Sequence, residues 1–213
     1  TNWNTTGDNF VYMAFADNIS GVGCDSLVDT PEQRADQTDD GVGGNVVGNY
    51  ATLNPLAKGT NVSLSNGNLD YTAPNSSGSY ASALSTIGVS SGKWYAEYVW
   101  TSGPNNSHVG IAAGDSNLNT WLGDNPNAYS YFSSGVKYSN GSSASYGASY
   151  ANGDVIGVAF DADAGTLVFY KNNVSQGTAY TGLTNGPYFF GVGMGENGQT
   201  ATYNFGQRPF VYT

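Results

Sequence analysis

From Tyr50 onward the apolar positions of this chain come in short runs parted by Gly, Asn, Ser and Asp, and no run carries the 3.6-residue period of a helix. In "KWYAEYVW", residues 93–100, extended geometry puts Trp94, Ala96, Tyr98 and Trp100 on one side and Tyr95, Glu97 and Val99 on the other. "SHVGIAAGD", "DVIGVAFD", "TLVFYK", "VSQG", "PYFFGVGMG" and "TATYNFG" read as further strands. "NVSLSNGNLDYTA" reads as two short strands turning at Asn66-Gly67, a pair suited to a tight hairpin. Upstream, "NFVYMAFAD", residues 9–17, is apolar on both faces, as a central strand is. The pattern predicts an all-β chain built from two packed antiparallel sheets.

One segment decides between chemistry and architecture. "GDVIGVAFDADAGTLVFYKNNVSQG", residues 153–177, holds two apolar runs around Asp161-Ala162-Asp163-Ala164-Gly165. Asp161 and Asp163 resemble the start of a calcium loop, and they are the weak alternative as a metal pair. The further ligands and the distal Glu of such a loop are missing, however. The bland reading is a corner: short acidic side chains satisfy backbone amides, and Gly165 supplies a backbone angle other residues avoid. Asn172-Asn173 suits a two-residue turn with positive φ.

Between the first strand and Tyr50 lies a polar span, residues 18–49, without periodicity and broken by Pro and Gly. Asp29, Glu32, Asp36, Asp39 and Asp40 crowd there and could gather a cation, though a solvated loop is the simpler reading. The expected organisation is a terminal strand of a preceding β-domain or N-terminal extension at 1–17, an acidic linker at 18–49 and one β-sandwich at 50–213. Neither end looks like a natural terminus, so the chain reads as a piece of something longer.

Composition narrows the partners. Six Lys and Arg against sixteen Asp and Glu give a formal charge of −10, and Lys58, Lys93, Lys137 and Lys171 form no cluster. Nucleic acid and anionic membranes both need such a cluster. No apolar run reaches the ~18 residues of a membrane span. Cys24 is the only cysteine, so no internal disulfide forms. Only 10% of residues are charged, and solubility rests on Asn, Ser, Thr and Gly. That neutral surface is common in extracellular adhesins and virion appendages.

The motifs carry a family resemblance. Gly-Asp-x-Ile-Gly at 153–157, the acidic turn, and Leu-x-Phe-Tyr-x-Asn at 167–172 resemble the signature of SPRY domains. "SGKWYAEYVW" is similar to their opening strand, "HVGIAAGD" to the next, and "YFFGVGMGENGQTATYNFGQRPF" to their closing hairpin. The match runs in order over about 84–210, and "WLGDNPNAYSYFSSG" departs from the family's Trp-Gly-Tyr type segment. The resemblance implies a bent, two-layer antiparallel β-sandwich, related to jelly rolls and concanavalin A, that recognises surfaces and does no catalysis. "NYATLNPLAKGTNVSLSNGNL" resembles the run leading into SPRY modules of phage tail and fibre proteins, and "NTTGDNFVYMAFAD" the last strand of a domain that precedes them. This implies a virion or extracellular setting. The partner would be a host-cell-surface glycan or protein, or neighbouring subunits, with a homotrimer among the assemblies.

Catalytic readings find little footing. His108 is the only histidine, no Gly-x-Ser-x-Gly elbow or phosphate-cradling loop occurs, and no cofactor is expected. Glycosidase chemistry needs two carboxylates ~5–10 Å apart. Glu97 has no second acid two residues away on its face, which fits a structural role. A glycan-active enzyme is the remote alternative. The best binding candidates lie in 117–152, where Tyr is interleaved with Ser, Gly and Asn as in antibody paratopes. They are Trp121, Tyr129, Tyr131, Tyr138, Tyr146 and Tyr150. Strand alternation would turn about half of them into the core, and Tyr129 and Tyr131 would share a face.

Overall fold

The computed structural model describes residues 50–74, 79–104, 106–195 and 198–212. The expected strand at 9–17, the acidic linker with Asp29, Glu32, Asp36, Asp39 and Asp40, and Cys24 lie outside them. Every regular element among the described residues is a strand: β1 Leu53–Lys58, β2 Ser63–Ser65, β3 Asp70–Thr72, β4 Tyr80–Val89, β5 Lys93–Ser102, β6 Ser107–Ala113, β7 Ala128–Phe132, β8 Val136–Ser139, β9 Ser142–Ser145, β10 Val155–Asp161, β11 Thr166–Lys171, β12 Val174–Tyr180, β13 Tyr188–Gly195 and β14 Thr200–Asn204. They form two seven-stranded antiparallel sheets, ordered β1-β4-β13-β6-β7-β8-β9 (sheet 1) and β12-β11-β10-β5-β14-β3-β2 (sheet 2). The expected two-layer antiparallel sandwich is the fold.

Alternation decides what the layers bury. In β5, Ala96, Tyr98 and Trp100 face inward and are almost fully enclosed. Trp94 shares their parity but sits at the strand's start and is 44% exposed. Across the sandwich, Val109 and Ile111 of β6, and Tyr188, Phe190, Val192 and Met194 of β13, close the same core. Tyrosines inside this core keep their hydroxyls paired: Tyr71 donates to Ala81 C=O at 2.6 Å, Tyr203 to Gly191 C=O at 2.7 Å, and Tyr98 meets Ser107 at 2.5 Å. Each bond spans the two sheets, so the phenols fix sheet against sheet as well as filling space. Burial holds the Tyr98 and Tyr203 phenols far above their usual range, and so uncharged.

The corner after β10 is architectural. Asp161 accepts the Ala164 N–H at 2.9 Å and pairs with Lys93 at 3.1 Å. The Ala164 amide first, and Lys93 after it, keep the Asp161 carboxyl below the ordinary range. Asp163 accepts the Gly92 N–H at 2.9 Å, tying the corner to the β4–β5 turn. Gly165 adopts φ +61°, and a Cβ there would lie 2.8 Å from the Leu183 backbone. Asn172 and Asn173 take the expected positive φ, 48° and 68°. The Asn66 turn differs: Asn66, Gly67 and Asn68 all have positive φ, so the hairpin loop is longer than two residues.

Candidate functional site

The stretch 117–152 contributes strands β7, β8 and β9, and their register sorts the candidate tyrosines. Tyr129 and Tyr131 pair with Ile111 and Val109 of β6, so both face inward. Tyr131 is 0% and Tyr150 3% exposed, so these two rings present nothing to a ligand. Their hydroxyls close the interior: Tyr131 donates to Ala148 C=O, and Tyr150 to Ser107 C=O at 2.7 Å. Tyr146, half-buried, packs edge-on to Tyr131 and donates to Gly177 C=O of β12 at 2.6 Å. Tyr129, half-buried, lies against Tyr180 and Tyr188, ring centres 5.0 and 5.9 Å away. Desolvation pushes the Tyr131 and Tyr146 phenols up to about 12. Lys137 joins this inner group, its Nζ 4.9 Å from the Tyr180 ring centre and donating to Ala179 C=O of β12.

Trp121 and Tyr138 belong to the opposite face of sheet 1. Ser82, Gly193, His108 and Phe132 form one row across β4, β13, β6 and β7, on the side away from the core. His108 lies 4.4 Å from Phe132 and 5.3 Å from Tyr138, ring centre to ring centre. Phe132 and Tyr138 close the triangle edge to face at 5.7 Å. At the β4 end Trp121 meets Tyr80 edge to face at 5.4 Å, and Tyr80 accepts from the Asn106 amide at 2.9 Å.

The segment 118–124 holds Trp121 on this face. Ser82 N–H donates to Leu118 C=O at 2.8 Å, and Ser82 Oγ donates to Thr120 C=O at 2.7 Å. Ser130 Oγ donates to Leu122 C=O at 2.6 Å, and Gly141 N–H to Gly123 C=O at 3.0 Å. Leu122 packs on Leu84, Ala112 and Ala128 in a second, smaller apolar cluster. Trp121 therefore sits between two anchored neighbours. Its indole N–H is buried and finds no acceptor among the described residues, which costs free energy.

The candidate surface is thus a strip of half-buried rings, Tyr80, Trp121, Phe132 and Tyr138, on a rigid sheet with His108 beneath. Of the residues singled out from the sequence, Trp121 and Tyr138 lie on this strip; Tyr80, His108 and Phe132 were not among the binding candidates. Parity carried the signal for Phe132, which alternates with the inward Tyr131.

His108 and Glu97, the two groups weighed for catalysis among the described residues, are bound into the frame. His108 is 3% exposed in a central strand, with Nδ1 3.2 Å from Ser130 Oγ. Burial pushes it down to about 3 from the usual 6.5, against a smaller upward pull from the Leu122 carbonyl. Glu97, 1% exposed, accepts from the backbone N–H of Val211 and Tyr212, both at 2.8 Å. Its cross-strand neighbours are Gly157 and Asn204, neither a carboxylate. Glu97→Gln turns two charge-assisted bonds into one neutral bond and one donor–donor contact. We expect a loss of about 2 kcal/mol, seen in calorimetry as a fall in Tm of about 4–8 °C. An unchanged Tm would refute the anchoring role.

Comparison with known proteins supplies the family. A model of the SPRY domain matches residues 93–208. The chain is 35% identical over 95 residues to the E3 ubiquitin-protein ligase RKP of Arabidopsis thaliana, covering 43% of this chain and 7% of that protein. It is 34% identical over 106 residues to Ran-binding protein 10 of Danio rerio, covering 49% and 17%. Those matches span a small part of much longer eukaryotic proteins. Among solved structures, the SPRY domain of human HERC1 superposes with TM-score 0.61 at 20% identity, over 71% of this chain and 96% of that one. The stonustoxin structure gives TM-score 0.60 at 20% identity, over 73% and 27%.

Proposed function

This chain belongs to the SPRY family, and from that premise we propose that it works as a non-catalytic recognition module, gripping a partner protein with the outer strip of sheet 1. The observation that carries the reading is the placement of Trp121. A large, half-buried ring is clamped by hydrogen bonds on both flanks, edge-on to Tyr80. Rigid aromatic side chains lose little entropy on binding and dominate the energetics of interfaces. The polar groups bordering the strip include the Asn106 amide and the Asp124 carboxylate, which accepts from Thr120 Oγ1 at 2.8 Å, so the strip suits an apolar or aromatic segment flanked by hydrogen-bonding groups.

The test is selection of a displayed peptide library on the full chain. Binders selected on the wild type are expected to weaken at least ~10-fold toward Trp121→Ala and Tyr138→Ala. They should bind Tyr146→Phe, which alters only the inner cluster, unchanged. Binders indifferent to Trp121 and Tyr138 would remove the strip from consideration.

A second reading keeps the virion setting, in which the partner is a host-cell-surface glycan or protein, or a neighbouring subunit. It is supported by the low charged fraction and by the run at 49–69 that resembles the approach to phage SPRY modules. Adsorption of particles carrying Trp121→Ala separates its two forms. Lost adsorption with normal assembly supports host attachment, and normal adsorption with failed assembly supports an architectural role.

A further inference from the structure

Two sheets have four edges, and three of them carry features that discourage pairing. β1 holds Pro55 and an irregular register against β4. β2 is three residues long. β12 has two register shifts and Gly177 at φ +82°, and side chains of its own domain occupy its Gly177 and Ala179 carbonyls. Such devices keep edges from joining other chains.

The fourth edge, β9, is regular, uncharged and exposed along its whole length. It follows the two-residue turn Asn140-Gly141, whose φ values of 51° and 70° match a tight hairpin. In such a hairpin the closing pair, Ser139 with Ser142, is hydrogen-bonded, and bonded pairs then alternate. Ser142 and Ala144 therefore direct their N–H and C=O groups to β8. The next residue of that parity agrees, since Tyr146 N–H donates to Gly135 C=O at 3.1 Å. Ser143 and Ser145 direct theirs away from the sheet, and among the described residues no hydrogen bond outside the ladder reaches those groups.

We infer that β9 pairs with the β9 of a second copy of this chain, antiparallel, about a two-fold axis at Ala144. The register is self-complementary. Ser143 faces Ser145 of the copy, Ser145 faces its Ser143, and both are bonded pairs. Ala144 meets its own counterpart in the non-bonded position between them. All four free backbone groups of each strand are satisfied, and sheet 1 runs on into its copy. A two-fold contact closes on itself, so assembly stops at two. Lys137, on the neighbouring strand β8, is turned to Ala179 and the tyrosines and away from the seam. A four-residue strand covers far less than the ~1,200 Å² of a standard interface, so the dimer is a weak one. At −10 per chain it strengthens with salt.

This inference is independent of the recognition strip, and its test needs no ligand. Sedimentation equilibrium of the full chain is run from ~10 μM to ~1 mM, with salt raised to screen the net charge. The mean mass is expected to climb from 22.2 kDa toward twice that value. Ser143→Lys with Ser145→Lys sets like charges opposite each other across the axis, as does Ser143→Asp with Ser145→Asp. Each doubly substituted protein should dimerise at least ~10-fold more weakly, and an equimolar mixture of the two should recover dimer. Unchanged near-ultraviolet circular dichroism shows that both keep the fold. A wild type that stays at one chain, continues past two, or associates as well with either substitution pair overturns the inference.

Discussion

Stability is expected to fall by about 1.4 kcal/mol for each pH unit as the pH drops from 6.5 toward 3, with His108 as the cause. The folded chain holds this imidazole neutral down to about 3, while the unfolded chain takes up the proton near 6.5. Between those values the unfolded state binds more protons, so stability rises with pH and is lost on acidification. The reason is local. Ser130 Oγ donates to Leu122 C=O, so it accepts from His108 Nδ1–H, and the neutral ring carries its proton there. A second proton would put a charge on Nε2 of a ring 3% exposed, under Phe132 and Tyr138. By pH 4 the loss reaches about 3 kcal/mol. His108→Phe keeps the ring contacts and leaves Ser130 bonded to Leu122. Its urea-unfolding free energy should be nearly flat between pH 6.5 and 4.5. Asp154 is also held low: its burial works the other way and is outweighed by bonds from Ala151, Asn172 and Lys171. Its share is lost only at lower pH, so the difference between the two proteins isolates the histidine. Parallel curves for wild type and His108→Phe would sink this account.

The same histidine shows where reading the sequence ran out. Its place in a strand was legible from "SHVGIAAGD", but burial was not, because β6 is enclosed on both faces only once the 118–124 segment covers the outer one. Strands with a strong two-fold alternation or a continuous apolar run, β5, β10, β11, β13 and β14, were all visible. β7, β8 and β9 were not, since Ser and Gly dilute their pattern, although Asn140-Gly141 was a plain hairpin signal. Reading that turn would have paired Tyr138 with Ser143 and Lys137 with Ala144, and so set Tyr138 on the face opposite Lys137. Trp121 lies outside any strand, so periodicity could place it nowhere. Its position follows from long-range bonds to Ser82 and Ser130, which no local pattern encodes. Glu97 is the reverse case. Its structural role was readable from the absence of a partner acid, and the Val211 and Tyr212 amides are what it holds.

Replacing Gly193 with valine is expected to cost about 3 kcal/mol, the upper end of overpacking penalties, and to weaken binding at the Trp121 strip. Gly193 lies on the outer face of β13 beneath Leu122. A Cβ there would sit 2.5 Å from the Leu122 backbone nitrogen and 2.6 Å from Ser82 Oγ. Neither atom yields cheaply, because the first is main chain and the second is bonded to Thr120 C=O. The 118–124 segment must therefore lift, drawing Leu122 off Leu84, Ala112 and Ala128 and unseating Trp121 from Tyr80. Tm should fall by about 6–12 °C. If the damage to binding passes through the segment, Gly193→Val and Trp121→Ala will be non-additive. The double variant would then bind a wild-type-selected peptide no worse than Trp121→Ala alone. Additive losses would mean that Gly193 acts elsewhere, and a Gly193→Val protein with full stability and binding would show that the segment does not rest on β13 as described.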